Sequence, residues 1–201
     1  MSPERTRHFK RPLGKRRYRK LFVIAVEGAK TEPIYFSMFR NSQVIRVKCL
    51  AGTNNSSPSG VLKRMREYLR QEDLKKTDEA WLVVDKDRWT EVQLRQLAKW
   101  SEEETQYHFA LSNPKFEYWL LLHFEDGKGI GSSVQCSEHL KKHLPNYDKC
   151  FDPRNITRQM INTAISRAKD RDNSTSGDCH LTVGCTTVYR LVEHILLDES
   201  V

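Results

Sequence analysis

Ala80-Trp81-Leu82-Val83-Val84-Asp85-Lys86-Asp87 is an apolar run that ends in two carboxylates two positions apart. A short uninterrupted apolar run suits a strand buried on both faces, as in a parallel sheet. Residues two apart on a strand point to the same side, so Asp85 and Asp87 can face one hard cation while Lys86 turns away. Two such acids repel each other unless positive charge lies between them. An Asp-rich turn after a strand is the plainer alternative. An earlier run, Leu21-Phe22-Val23-Ile24-Ala25-Val26, ends in the same manner with Glu27-Gly28. Two strands that each deliver acid at their C-terminal ends point to a magnesium site on a parallel sheet, because open α/β folds place their ligands there.

Working outward, apolar runs alternate with amphipathic stretches. Residues 21–26, 44–50, 80–84 and 107–111 read as strands, and residues 33–40, 61–71 and 91–100 as helices. Pro33 suits the first turn of its helix, and the Ser/Asn/Gly-rich stretch 51–60 is a loop. This βαβαβαβ order predicts a mainly parallel four-stranded sheet flanked by helices. From Asn113 onward the character changes. Residues 114–124 are strongly apolar, 137–144, 156–169 and 186–197 read as helices, and 127–133 and 170–178 as loops. The expected organisation is a basic tail over residues 1–20, an α/β core over 21–112, and a mostly helical extension over 113–201 packed on that core.

The 201 residues carry a formal charge of +8, but the charge is localised. Residues 1–20 hold nine Lys or Arg, among them Arg16, Arg17, Arg19 and Lys20, against the single acid Glu4; the other 25 bases meet 25 acids. The tail can act as an arm that grips phosphates through counterion release, or it is simply a solvated leader. No run of 18 apolar residues exists, so no membrane span is expected, and the basic N-terminus lacks the apolar segment of a signal peptide. Five cysteines (Cys49, Cys136, Cys150, Cys179, Cys185) form no CxxC and cannot all pair, which predicts reduced thiols in a cytoplasmic protein.

Several motifs carry alternatives. Gly28-Ala29-Lys30-Thr31 resembles the end of a phosphate-binding loop, but Gly and Lys are not adjacent and an apolar strand precedes them, so that reading is rejected. Glu27 at a strand end, with Gly28 permitting a tight turn, can be a metal ligand or a general acid or base. Glu32 also suits a helix N-terminal acid. In Ser112-Asn113-Pro114-Lys115-Phe116-Glu117, Asn113 can cap a helix with Pro114 at its first position. Glu117 then lies in the first turn near the other acids, and Lys115 can contact a phosphate. Phe116, Trp119, Leu120 and His123 are read as core. Cys136, His139 and His143 share one helix face and offer three zinc donors, against the alternative of a polarisable seam.

Glu-Gly after a first strand, then Asp-x-Asp after a later strand, resembles the Toprim domain of topoisomerases, primases and OLD-family nucleases. The strings Val26-Glu-Gly-Ala-Lys-Thr-Glu-Pro-Ile-Tyr-Phe36, Val84-Asp-Lys-Asp87 and Ser112-Asn-Pro-Lys-Phe-Glu-Tyr-Trp-Leu-Leu-Leu-His-Phe124 are similar to the RloB/AbiLii family, as are Ile165–Lys169 and the segment from Thr182 to Glu193. The resemblance implies a Toprim-like core and a metal-dependent nuclease of bacterial anti-phage defence or abortive infection, often beside an ATPase. It assigns Glu27, Asp85 and Asp87 to catalysis, and Glu117 joins them as a catalytic candidate from its expected place beside these acids. Mg²⁺ (or Mn²⁺) falls to Glu27, Asp85 and Asp87, with Glu32 as candidate for a second ion. Lys30, Lys86, Arg88, Lys115 and the tail bases Arg16, Arg17, Arg19 and Lys20 are expected to meet nucleic acid, DNA or RNA, tRNA included. A non-catalytic regulatory module that docks on an ATPase is the alternative. A nucleotide phosphoryl-transfer enzyme is a third reading, with Trp89 as its only nearby stacking residue. Oligomerisation is left open.

Overall fold

The computed structural model describes residues 19–40, 42–52, 57–86, 89–175 and 178–199. Strand β1 (Lys20–Val26) is followed by α1 (Thr31–Ser37), β2 (Ile45–Leu50), α2 (Pro58–Gln71), β3 (Glu79–Asp85), α3 (Glu91–Ser101) and β4 (Tyr107–Asn113). The chain continues through α4 (Phe116–Leu121), α5 (Ser133–His143), a 3-10 turn (Pro153–Asn155), α6 (Arg158–Ser174), β5 (Cys185–Thr186) and α7 (Val188–Glu199). The sheet order is β2-β1-β3-β4-β5; β1 to β4 run parallel and β5 joins β4 antiparallel.

The period-2 alternation of the strands sorts their side chains into two layers. Phe22, Ile24, Val26, Trp81 and Val83 pack with α1 and the C-terminal helices α4 to α7, whereas Val23, Ala25, Ala80, Leu82 and Val84 pack against α2 and α3. Both faces are therefore covered, which is why β1 and β3 read as continuous apolar runs. Local signals set the helix starts. Ser57 caps α2 from the Gly60 N–H with Pro58 in its first turn, and Thr90 and Gln93 close a capping box on α3.

The structure corrects several expectations. The sheet has five strands, not four. Two-residue β5 is too short for a sequence signature and is held by tertiary pairing, including Ser112 Oγ 2.8 Å from Thr186 Oγ1. Helix α1 begins at Thr31, two residues before Pro33. Asn113 does not cap a helix: it is the last residue of β4, and its side-chain amide donates to the Cys179 and His180 carbonyls. Helix α4 starts two residues after Pro114, with Lys115 at its cap position. The loop expected from residue 170 is helical through Ser174.

Cysteine usage differs as well. Cys179 and Cys185 form a disulfide with a Cα–Cα distance of 5.3 Å, while Cys49, Cys136 and Cys150 are free. Gly184, at φ 84, turns the chain back so that these two thiols meet. Among the described residues no helix is long and apolar enough to cross a membrane.

Candidate active site

In the order β2-β1-β3-β4 the chain leaves β1 toward β2 on one side and returns to β3 on the other. The crevice outside the C-terminal ends of β1 and β3 is thus a topological switch point, where such sheets bind ligands. Val26 pairs with Val83, so Glu27, the next residue, and Asp85, the last of β3, emerge side by side. A cleft of about 370 Å³ opens there, lined among others by Glu27, Glu32, Asp85, Glu117, Lys30 and Lys149. Four carboxylates from four elements face one space.

Each acid is positioned by backbone or aromatic donors. Glu27 accepts the Asp85 N–H (3.3 Å) and the Trp89 indole N–H (3.1 Å) on Oε2. Asp85 Oδ1 accepts the Phe116 N–H (2.8 Å) at the start of α4. Glu32 Oε1 accepts the Gly28 N–H (2.8 Å). Tyr147 donates its hydroxyl to Glu117 Oε1 (3.0 Å) and lies 3.0 Å from Thr31 Oγ1. Two glycines allow this closeness. A Cβ on Gly28 would fall 2.2 Å from Glu32 Oε2, and one on Gly52 only 1.9 Å from the Glu27 carbonyl oxygen. The Gly52 N–H meanwhile donates to the Gly28 carbonyl (2.9 Å), tying the β2 exit to the β1 exit.

The cleft carries more negative charge than it can hold comfortably. Burial, with the neighbouring Glu32, Glu117 and Glu27 charges added, pushes the Asp85 carboxyl well above the usual carboxylate range. Burial also pushes Glu32 up to about 7; backbone N–H groups partly offset this, and Glu117 and Glu27 reinforce it. The Tyr147 phenol is raised by burial and by Glu117. A divalent cation would relieve this repulsion, and an all-oxygen donor set matches Mg²⁺ or Mn²⁺. Among the described residues, the sets of three donors within 4.8 Å of one another lie elsewhere, at Glu79–His108–His194 and Asp172–Cys179–Cys185. The cleft acids are not among these sets, and Mg²⁺, which keeps several waters, needs only one or two carboxylates.

The other expected site residues are dispersed. Asp87, Arg88, Arg16 and Arg17 lie outside the described residues. Lys30 is exposed at the start of α1, on the cleft rim. Lys86 donates its ammonium to the Trp89 carbonyl (2.8 Å), and Lys115 donates to Ser137 Oγ. Lys20 opens β1, at the end of the sheet away from Glu27, and is paired with Glu79 and Asp198; Arg19 precedes it. The three zinc candidates do not converge: Cys136 is buried, while His139 and His143 both bind Glu125, at 2.7 and 2.9 Å. Trp89, the expected stacking residue, donates its indole N–H to Glu27 and so orients that carboxylate.

Tyr147 and Lys149 escaped the sequence reading. Both sit in the connection between α5 and α6, more than 100 residues from Glu27 along the chain, with no motif around them. Lys149 adopts φ 57, uncommon for a residue with a side chain, and its carbonyl accepts from Thr31 Oγ1 (3.0 Å).

A family model described as RloB-like protein matches residues 22–195, and the chain belongs to that family. No curated protein and no solved structure matches the chain.

Proposed function

With membership of the RloB-like family as premise, we propose a Mg²⁺- or Mn²⁺-dependent Toprim-type nuclease that hydrolyses phosphodiester bonds of DNA or RNA in anti-phage defence. The observation that carries this reading is the convergence of Glu27, Glu32, Asp85 and Glu117 on one cleft at the switch point of the sheet. Glu27 and Asp85 would hold the cation, with Glu32 and Glu117 within the same ring. When bound, the ion supplies Lewis acidity and neutralises charge developing on the scissile phosphate.

The protein's own residues do the rest. Trp89 and the Asp85 N–H hold Glu27 in one orientation, and Tyr147 does the same for Glu117. Lys30 and Lys149 on the rim offer cationic anchors for flanking phosphates. Without a cation Glu32 keeps its proton up to about 7, so it would give up that proton as an ion enters the ring. The family resemblance adds an ATPase partner to this reading.

The test is Mg²⁺- and Mn²⁺-dependent cleavage of plasmid DNA, single-stranded DNA and total tRNA, beside calorimetric titration of each metal. Wild type is compared with Asp85→Asn and Glu27→Gln. Metal-dependent cutting that both variants lose supports the nuclease and names its substrate. Metal binding without cutting directs the search to the partner. A folded wild-type protein that binds neither metal overturns the catalytic reading in favour of a docking module.

A further inference from the structure

At the end of the sheet opposite the cleft, three side chains from distant segments meet. Glu79 opens β3, His108 is the second residue of β4, and His194 comes from the middle of α7. His194 Nδ1 lies 2.9 Å and His108 Nε2 3.8 Å from the same oxygen, Glu79 Oε2, and the three donor atoms all fall within 4.8 Å of one another. We propose that Glu79, His108 and His194 form a transition-metal site of the Zn²⁺ type, separate from the oxygen-lined cleft, that pins α7 to the sheet.

The donor set decides the class of ion. Two imidazoles and one carboxylate suit Zn²⁺, which takes three such ligands with water in the fourth position. Their present separations bracket the roughly 3.3 Å edge of a tetrahedron built on Zn–N and Zn–O bonds of about 2 Å. Both histidines are partly exposed, at 27 and 42 % of their side chains, so ion and water have an entry path.

Surrounding groups already orient these ligands, as outer-shell partners do in metal sites. Lys20 Nζ grips Glu79 Oε1 at 2.7 Å and leaves Oε2 for the metal. The Trp81 indole N–H occupies one lone pair of Oε2 at 2.8 Å and leaves the second. Trp81 also stacks on the His108 ring, with centroids 4.5 Å apart, which limits its rotation. The Lys20 ammonium is the group that would repel a cation, but Asp198 pairs with it at 2.7 Å. The competing arrangement is a purely protonic one, in which a hydrogen stays between His194 Nδ1 and Glu79. Zn²⁺ would take that hydrogen's place.

The full-length protein, stripped with chelator and held in saturating Mg²⁺, is titrated with Co²⁺ and then Zn²⁺. One Co²⁺ per chain with visible bands of nitrogen ligation, displaced by Zn²⁺, is expected. Zn²⁺ at a hundredfold excess over its Kd should raise Tm by about 5–10 °C. His108→Gln and His194→Gln should each lose the bands while keeping the wild-type circular dichroism, and Asp85→Asn should keep them. Absence of the bands in folded wild type overturns the site, as does their survival in both histidine variants or their loss in Asp85→Asn. Should a variant misfold, ring-proton NMR of wild type decides. Zn²⁺ must shift the His108 and His194 resonances, and unmoved resonances overturn the proposal.

Discussion

Glu32→Gln should make the metal-free protein more stable at alkaline pH while weakening its hold on Mg²⁺. A glutamate in the unfolded chain titrates near its usual 4.5, whereas folded Glu32 keeps its proton up to about 7. Between these values the folded state binds more protons than the unfolded state, so stability falls as pH rises, and above about 7 the loss is complete. At about 1.4 kcal/mol per pH unit, the full penalty is about 3 kcal/mol, of which about 2.5 kcal/mol is lost between pH 5 and pH 8. The Gln amide oxygen can still accept the Gly28 N–H, so the substitution removes the charge and keeps the hydrogen bond. Urea and thermal unfolding in EDTA should show the variant more stable than wild type at pH 8 by up to about 3 kcal/mol, or about 6–12 °C in Tm, with the difference shrinking toward pH 5. Saturating Mg²⁺ should stabilise wild type more than the variant and narrow the gap. A variant less stable than wild type at pH 8 without metal, or one with the wild-type pH slope, would refute the reasoning.

Three further outcomes are expected. Gly52→Ala places a Cβ 1.9 Å from the Glu27 carbonyl oxygen, a backbone atom that cannot swing aside, and should cost about 3 kcal/mol in urea unfolding. Tyr147→Phe removes the hydroxyl that holds Glu117 and should leave the fold intact by circular dichroism while lowering metal affinity about tenfold by calorimetry. Thiol titration of the denatured, unreduced protein should count three groups, Cys49, Cys136 and Cys150, rising to five after reduction. Opening the short Cys179–Cys185 loop should cost about 2 kcal/mol, and a count of five before reduction would disprove the bridge.

Local pattern was enough to read the parallel sheet and the acids at its rim. Residues 21–26 and 80–84 are apolar without interruption because helices cover both faces of β1 and β3, and that double burial is written in the composition of each strand alone. Glu27 and Asp85 follow those runs directly, so their place at the strand ends needed no knowledge of the rest of the chain. The start of α3 at Glu91 was legible, whereas α2 begins at Pro58 behind its Ser57 cap, three residues before the expected 61. A helix boundary was also misread where a distant partner competes, as the Cys179 and His180 carbonyls do for Asn113.

What surrounds those acids was decided by tertiary structure. Only the strand order β2-β1-β3-β4 sets β1 beside β3 and makes one cleft of Glu27 and Asp85. Tyr147 and Lys149 reach that cleft from a connection with no pattern of its own. β5 exists because β4 offers it an edge, and Cys179 finds Cys185 because Gly184 bends the chain. The Glu79–His108–His194 meeting is of the same kind: three residues, each unremarkable among its neighbours, joined by the packing of α7 on the sheet. Periodicity and capping act over a few residues and are therefore visible in the sequence. Convergence of charge and ligands depends on contacts between segments far apart in the chain, which appear only once burial of the two apolar layers has brought those segments together.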